Sequence, residues 1–417
     1  MSLTLAQALR LRPRFRCVAV TGTNGKTTTT TMTAAIFAAA GRKVGRVTTL
    51  GAWAGKRAVA DDTSEAGFIG AIERLANARA PHLVVETTSQ ALEGGFATRW
   101  PADVAVFTNL TNDHLDAHGT LEAHLAAKAQ LFATLPEGTV AVFNACDESS
   151  ALLDEVTPSY VRRVAYATGK VAPACRGLPI GLAASAVWLS RTGTRIALQP
   201  SPLALRLGGS LKLEVLGAPN ADNALAAALA ADACGVEAPH IAAGLRQFQG
   251  VPGRFQVLST RPLVIVDFAH SPDSLSRVLG SVRSLLGAGR GHLCCVFGCG
   301  GDRDSTKRER MGKVVGDLCD RAIVTNDNPR SENPYAIVGQ IAVGLAPARA
   351  EWSVVLDRAE AIAAAISAAR PLDAVVIAGK GHEREQIIGD RTLPFSDVAV
   401  ARRALRKRSV ARVSKNW

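Results

Sequence analysis

Short apolar, β-branched runs alternate with alanine-rich helical stretches from Arg16 onward, and Cys17–Val20, Val44–Thr48, Leu83–Glu86, Val104–Thr108 and Val140–Phe143 read as strands. Parallel neighbours need crossover helices, so the alternation predicts an α/β domain around a mostly parallel sheet. Between about Gly181 and Gly217 the pattern shifts to short alternating segments, Val187–Ser190 and Arg195–Gln199, expected to form an antiparallel appendage. Helical patterns follow at Asn220–Ala233 and Ala238–Phe248. The turn-forming run Gly250-Val251-Pro252-Gly253 then marks a boundary between domains 1–250 and 251–417. Beyond it strands are expected at Leu263–Asp267, Leu293–Phe297, Ala322–Thr325, Trp352–Leu356 and Ala374–Ala378, so the second domain is also doubly wound. Such sheets bind ligands in the loops at the carboxyl ends of their strands.

Composition narrows the class. With 417 residues, 47% apolar and 20% charged, the chain is neither disordered nor collagen-like, and it can bury two cores without disulfides. The N-terminus has no apolar signal core and no run approaches a membrane span, which reads as cytoplasmic. Eight scattered cysteines with no C-x-x-C pair read as reduced thiols. The cluster His292, Cys294, Cys295 and Cys299 is read as core rather than zinc, because HLCCVF is a strand whose neighbouring side chains face opposite ways. The net charge of +12 owes more than half of its excess to Val398–Trp417, which carries seven basic residues and no acid. Without interleaved aromatics or a binding fold, a solvated terminal helix is preferred there to a nucleic-acid surface.

The chemistry concentrates at strand ends. Strand Cys17–Val20 runs into Thr21-Gly22-Thr23-Asn24-Gly25-Lys26-Thr27-Thr28 and then a helix. Glycines let backbone N–H groups curl around phosphate oxygens, a helix N-terminus adds positive potential, Lys26 reaches the outer phosphates and Thr27 can ligate Mg²⁺. The spacing, G-x-x-G-K-T, is shorter than the common nucleotide-binding form. Glu86 ends a strand on the same sheet edge and is placed for Mg²⁺; a strand-end glutamate alone is more often a surface residue, and only the neighbouring phosphate loop brings the two readings level. His114, in the polar loop Thr108–Asp116, could be a ligand or a loop hydrogen-bonding residue. Lys128, within LEAHLAAKAQL, could equally be a snorkelling surface lysine.

GTNGKTT, VVETTS, TNLTNDHLDAHG, the AAK helix, PGRFQ (Pro252–Gln256), DFAHSPDSL (Asp267–Leu275), GCGGDRD (Gly298–Asp304), TNDNPR (Thr325–Arg330) and AGKGHE (Ala378–Glu383) occur in order from Val20 to about Asp397. Together they resemble the Mur ligase family, and within it the UDP-N-acetylmuramoyl-tripeptide synthetase branch. The resemblance implies two doubly wound α/β domains: a central P-loop ATPase-type Mur ligase domain and a C-terminal Rossmann-like domain. It implies an ATP- and Mg²⁺-dependent, ADP-forming ligase that makes an acyl phosphate and lets an amine displace phosphate.

By the same resemblance Gly22, Thr23, Asn24, Gly25, Lys26, Thr27 and Thr28 hold the phosphates. Thr27 and Glu86 serve the first Mg²⁺ and His114 the second. Lys128 corresponds to a lysine that is carbamylated to place that metal. Asn220, Asn223, Arg254, Asp267, His270 and Lys307 serve the nucleotide, with the two domains closing on it. Arg303, Asn328, Arg330, Gly379 and Glu383 form the acceptor pocket, which in the DNPR branch takes meso-diaminopimelate. The partners are therefore a small-molecule carboxylate donor and an amino-acid acceptor, with a pathway partner protein left open.

The sequence also departs from the pattern. Only 21 residues precede Gly22, so the UDP-gripping domain is expected to be absent, and Asp62-Thr63-Ser64-Glu65 stands where the branch has Thr-Thr-Pro. Pro219 replaces the usual histidine before Asn220. Donor recognition is therefore expected to be altered. The rival readings are a cyanophycin-like or natural-product peptide ligase using another donor and acceptor, and a partner-dependent subunit fed by a glutaminase. The latter usually carries a four-cysteine zinc ribbon that this sequence lacks. A non-catalytic nucleotide-binding regulator fits poorly with retention of Lys26, Glu86, His114 and Lys128.

Overall fold

Arg16–Thr21 is buried at every position after the first, on both faces, as a central strand of a parallel sheet must be. It lies within a sheet seen in a computed structural model that describes residues 4–61, 64–111, 120–287 and 291–413. The described chain divides into two units. One runs to Trp188 and resumes at Gly193–Gln249; the other comprises Leu189–Thr192 and the chain from Gly250 onward.

With strands numbered in chain order, the first unit's sheet runs from edge to edge through Ser210–Leu213 (β11), Gly193–Leu198 (β10), Ile180–Ser190 (β9), Arg162–Ala167 (β8), Val140–Asn144 (β7) and Val104–Phe107 (β6). It continues through Arg16–Thr21 (β1), His82–Glu86 (β5), Val44–Thr48 (β2), Gly51–Ala54 (β3) and Arg57–Ala60 (β4). From β8 to β2 the pairs are parallel. The helix Lys26–Ala39 packs against Ala218–Ala233 and Ala238–Gln247, whose small residues permit close approach. A Cβ at Gly244 would lie 2.5 Å from Ile36 Cα.

The segment expected to be an antiparallel appendage is instead continuous with this sheet. β9 pairs in parallel with β8, with Leu182 opposite Tyr166 and Ala183 opposite Ala167, while β10 pairs antiparallel with β11. The reason is that the first half of the eleven-residue β9 carries Leu182 and Ala183 into the core, while its outer half stays half-exposed.

The second unit's sheet runs Gln256–Thr260 (β12), Leu263–Asp267 (β13), Ala374–Ala378 (β17), Leu293–Phe297 (β14), Arg321–Val324 (β15) and Glu351–Val354 (β16). All its pairs are parallel except β12 with β13. A separate hairpin joins Glu385–Ile388 (β18) to Arg391–Pro394 (β19).

The basic C-terminal segment forms the helix Asp397–Val413, and it is less solvated than expected. Val400 and Ala401 are buried in the core, and Leu405 packs beside them. Arg408 Nη1 donates to Ile366 O and Ser367 O at 2.7 Å each, and Nη2 donates to Ala369 O. A cation thereby caps the carbonyl end of the helix Arg358–Ala368, where the helix dipole favours it. Among the described residues no helix is long and apolar enough to cross a membrane, and all eight cysteines are free.

Candidate functional site

In the first unit the phosphate loop emerges from β1 and is braced by the chain leaving β6. Thr23 N donates to Asn109 O at 2.7 Å, and Asn24 N donates to Asn109 Oδ1 at 2.9 Å. Thr108 Oγ1 donates to Asn24 O at 2.6 Å, so Asn24 is held from both sides. Gly22 has φ +144° and a Cβ there would sit 1.9 Å from Thr108 Oγ1, so no larger residue fits. Gly25 caps the helix Lys26–Ala39 with φ +85°, and its missing Cβ leaves room for Asn223 Oδ1, which also accepts from Thr29 Oγ1 at 3.1 Å. The first N–H groups of that helix are of the kind that suits an anion. Thr27 and Thr28 are buried at its start, and Asn220 donates to Leu216 O at 2.6 Å.

Two lysines meet this loop. Lys26 Nζ donates to Gly22 O at 3.0 Å and Thr23 O at 2.8 Å. Lys128, 1% exposed, donates to the same Gly22 O at 3.0 Å. Burial, and then the neighbouring Lys26 charge, hold the Lys128 amine well below the ordinary lysine value. Lys128 is thus an interior residue, not a snorkelling one. Glu86 at the end of β5 is half-buried, and its Oε2 accepts from Thr49 N at 3.1 Å and Thr49 Oγ1 at 3.3 Å. His114 lies outside the described residues, as do Asp62 and Thr63. Among the described residues no three His, Cys, Asp or Glu side chains gather into a metal-holding group.

The second unit has its own cluster at the strand ends. Asp267, ending β13, is buried and accepts from Phe255 N at 2.6 Å and Ala269 N at 2.7 Å. Burial raises its pKa, with those N–H groups opposing the shift. The Arg254 guanidinium lies 4.3 Å over the Phe268 ring, and His270 Nδ1 is 2.7 Å from Phe268 O. Lys307 opens the helix Lys307–Leu318.

Asn328, Arg330 and Glu383 are brought together, and Lys380 joins them. The Lys380 side chain is fully buried, and its Nζ donates to Asn328 Oδ1 at 2.9 Å and Glu383 Oε2 at 2.7 Å. Asn328 Nδ2 donates to the same Glu383 oxygen at 3.1 Å. Arg330, at φ +51°, is anchored through Nη1 to Gly301 O at 2.7 Å. Arg303 and Arg330 both come close to Gly300, whose added Cβ would lie 3.7 Å from Arg303 Cγ and 3.0 Å from Arg330 Nη1. Gly379, at φ +114°, has no room for a Cβ, which would meet Asp327 Oδ2 at 2.4 Å.

The family description Mur ligase middle domain matches residues 20–231, and Mur ligase, glutamate ligase domain matches residues 253–381. The UDP-N-acetylmuramoyl-L-alanyl-D-glutamate–2,6-diaminopimelate ligase of Synechococcus elongatus is 39% identical over 412 residues, covering 97% of this chain and 78% of that protein. The chain belongs to the Mur ligase family. The Syntrophomonas wolfei ligase of the same name is 38% identical over 94% of this chain and 78% of its own. A solved structure bearing that ligase name superposes with a TM-score of 0.66 at 32% identity, covering 97% of this chain and 82% of that one. This Mur ligase is an ATP-dependent, ADP-forming amide synthase, and its family works with ATP and Mg²⁺.

The donors present suit that ion. Mg²⁺ prefers one or two carboxylates completed by phosphate oxygens and water over an all-protein cage. A single carboxylate, Glu86, with the Thr27 hydroxyl and a phosphate-binding loop matches that preference.

Lys380 lies within AGKGHE, and the family resemblance implies no role for it. Its signal was available: a lysine between two glycines directly after the fully buried strand β17 has little route to solvent. Lys380→Met is expected to destabilise the ligase by about 1–2 kcal/mol, since it leaves a charged acceptor short of its donor. Urea unfolding beside the wild type measures this, and an unchanged midpoint would contradict it.

Proposed function

We propose that this ligase joins the free carboxylate of a peptidyl donor to one amine of 2,6-diaminopimelate or a closely similar diamino dicarboxylic acid. The observation that carries the reading is the cluster around Asn328, whose carbonyl lies 3.5 Å from Arg330 Nη1 and whose side chain bonds Lys380 and Glu383, so that a guanidinium and a carboxylate flank one residue. Such a pair is complementary to a zwitterionic amino-acid end. The relatives' names supply the acceptor and the type of donor.

On this reading the fork of Arg330 takes the distal carboxylate and Glu383 takes the distal ammonium, with Arg303, Asn328 and Gly379 completing the pocket. Gly22 to Thr28 cradle the ATP phosphates, and Lys26 follows the γ-phosphoryl group as it moves to the donor carboxylate, releasing ADP. The amine then attacks the acyl phosphate, the C–O bond to phosphate breaks, and amide and inorganic phosphate leave. Thr27 and Glu86 would hold Mg²⁺, which supplies charge neutralisation between the two anions. Asn220, Asn223, Arg254, Asp267, His270 and Lys307 are assigned to the nucleotide.

Lys128 is assigned a carbamate. Its depressed pKa supplies the free amine, and CO₂ adds to that amine with loss of a proton. The product reverses the charge beside Lys26 from repulsive to attractive. His114 would stand with it at a second Mg²⁺. The work is assigned to the cytoplasm, where ATP is supplied and thiols stay reduced.

Competing meso-diaminopimelate, lysine, glutamate and arginine in one amide-forming assay tests the acceptor. The diamino dicarboxylate should win. Arg330→Lys should raise its KM about tenfold or more while leaving that of ATP unchanged, because a point charge does not reproduce bidentate pairing. A preference for lysine or arginine would contradict the proposal.

A further inference from the structure

At the carboxyl ends of β2 and β5 the first unit holds a groove of about 450 Å³, within the range of small-molecule sites. It lies on the edge from which the phosphate loop emerges, since β5 is the direct neighbour of β1 and Glu86 pairs in register with Val20. One end is polar, with Glu86 and Thr49; the wall is apolar, formed by Val47, Val85, Phe68, Phe96 and Trp100. The aromatic rings are fixed on one another. Phe68 meets Phe96 edge-on at 5.4 Å and Trp100 edge-on at 5.3 Å, so the wall is preformed.

Two further features define what the groove can take. Arg99 is the one basic side chain among its described lining residues, and it is already committed. It pairs with Glu65 Oε2 at 3.4 Å and donates to Gly94 O at 2.7 Å and Gly95 O at 3.4 Å. With Glu65 and Glu86 also in the lining, a diphosphate or other polyanion finds no receptor here. In contrast, Thr87, 1% exposed and continuing the face of Val85, carries a buried hydroxyl with no hydrogen-bond partner among the described residues. An orphaned buried hydroxyl is costly unless a ligand group completes it.

We infer that this groove receives an uncharged, apolar arm of the carboxylate donor, aromatic by preference, carrying one amide or hydroxyl that pairs with Thr87. The inference rests on the proposed ligase reading and adds the chemical class of the donor's arm to it. The donor's carboxylate then lies toward Glu86 and the phosphate loop, while its arm packs along Phe68, Phe96 and Trp100.

The test compares N-benzoyl-L-alanyl-D-glutamate with N-acetyl-L-alanyl-D-glutamate by calorimetric titration of the full chain, without ATP or amine. The benzoyl compound should bind at least about tenfold more tightly, the difference expected for burying a ring in place of a methyl group. Phe96→Ser should reduce the preference to within about twofold, and Thr87→Val should weaken both compounds by about tenfold. Melting curves confirm that each variant is folded, and Phe68→Ser serves as the second wall variant. Equal affinities, or a preference that survives both wall substitutions in folded protein, would overturn the inference.

Amide formation from the same two acids is followed in parallel. Product made without aromatic preference would sink the inference and leave the ligase reading standing. Aromatic-selective binding with no amide from either acid would sink the ligase reading and leave the groove assignment standing.

Discussion

Lys26→Ala is expected to lower kcat by about 10²- to 10³-fold, with little change in thermal stability. In the present structure the Lys26 ammonium donates to the carbonyls of Gly22 and Thr23, at 3.0 and 2.8 Å, beside the start of the helix Lys26–Ala39. Those two bonds are ones that water can replace, so the folded state loses little. The transferring phosphoryl group gathers charge that only a positioned cation can offset without reorganisation. A coupled assay of ADP release, beside a melting curve, checks both halves. Retention of more than about a third of the activity would contradict the role given to Lys26.

Lys128→Ala is expected to lose about 10²-fold or more of the activity, and a short added carboxylate such as acetate should restore part of it. The wild type labelled with ¹³C-bicarbonate should show a carbamate resonance that the variant lacks. The physical basis is the site of the amine: buried, sharing Gly22 O with Lys26, and pushed below its ordinary value by burial first and by that neighbour second. The sign for stability follows directly. In the unmodified chain the unfolded lysine keeps its proton up to about 10.5, whereas the buried one loses it sooner. Between those two points the unfolded state binds more protons, so this residue makes folding more favourable as pH rises through the window. Excluding CO₂ should therefore expose a rise in melting temperature with pH that Lys128→Ala lacks. Full activity of Lys128→Ala without added carboxylate would contradict the assignment.

Particular elements show what could be read from the chain alone. The strands β13, β14 and β17 fall where apolar runs predict them, because a strand buried on both faces is written as a continuous apolar run. Several strands with exposed positions did not announce themselves. β8 begins with two arginines, β12 is Gln-Val-Leu-Ser-Thr, and β3 with β4 is a short hairpin at the edge of the sheet. Such strands are set by their neighbours rather than by their own composition.

The phosphate loop was legible for a similar reason: its glycines answer a local steric demand at Thr108 and Asn223. Lys128 was not, because a lysine among alanines looks the same whether its helix faces water or the loop after β1. The Thr87 hydroxyl and the bracing of Asn24 by Asn109 were hidden too, since both arise from strands that meet only in the folded sheet.

The central claim is that the donor carboxylate attacks the γ-phosphorus of ATP and that the amine then displaces phosphate. Labelling the donor carboxylate with ¹⁸O and analysing all products by mass spectrometry tests it most directly. The account predicts ADP without label, one ¹⁸O in the inorganic phosphate, and one fewer ¹⁸O in the amide than in the starting carboxylate. Label appearing in AMP with release of pyrophosphate, or amide formation with no label reaching phosphate, would contradict it.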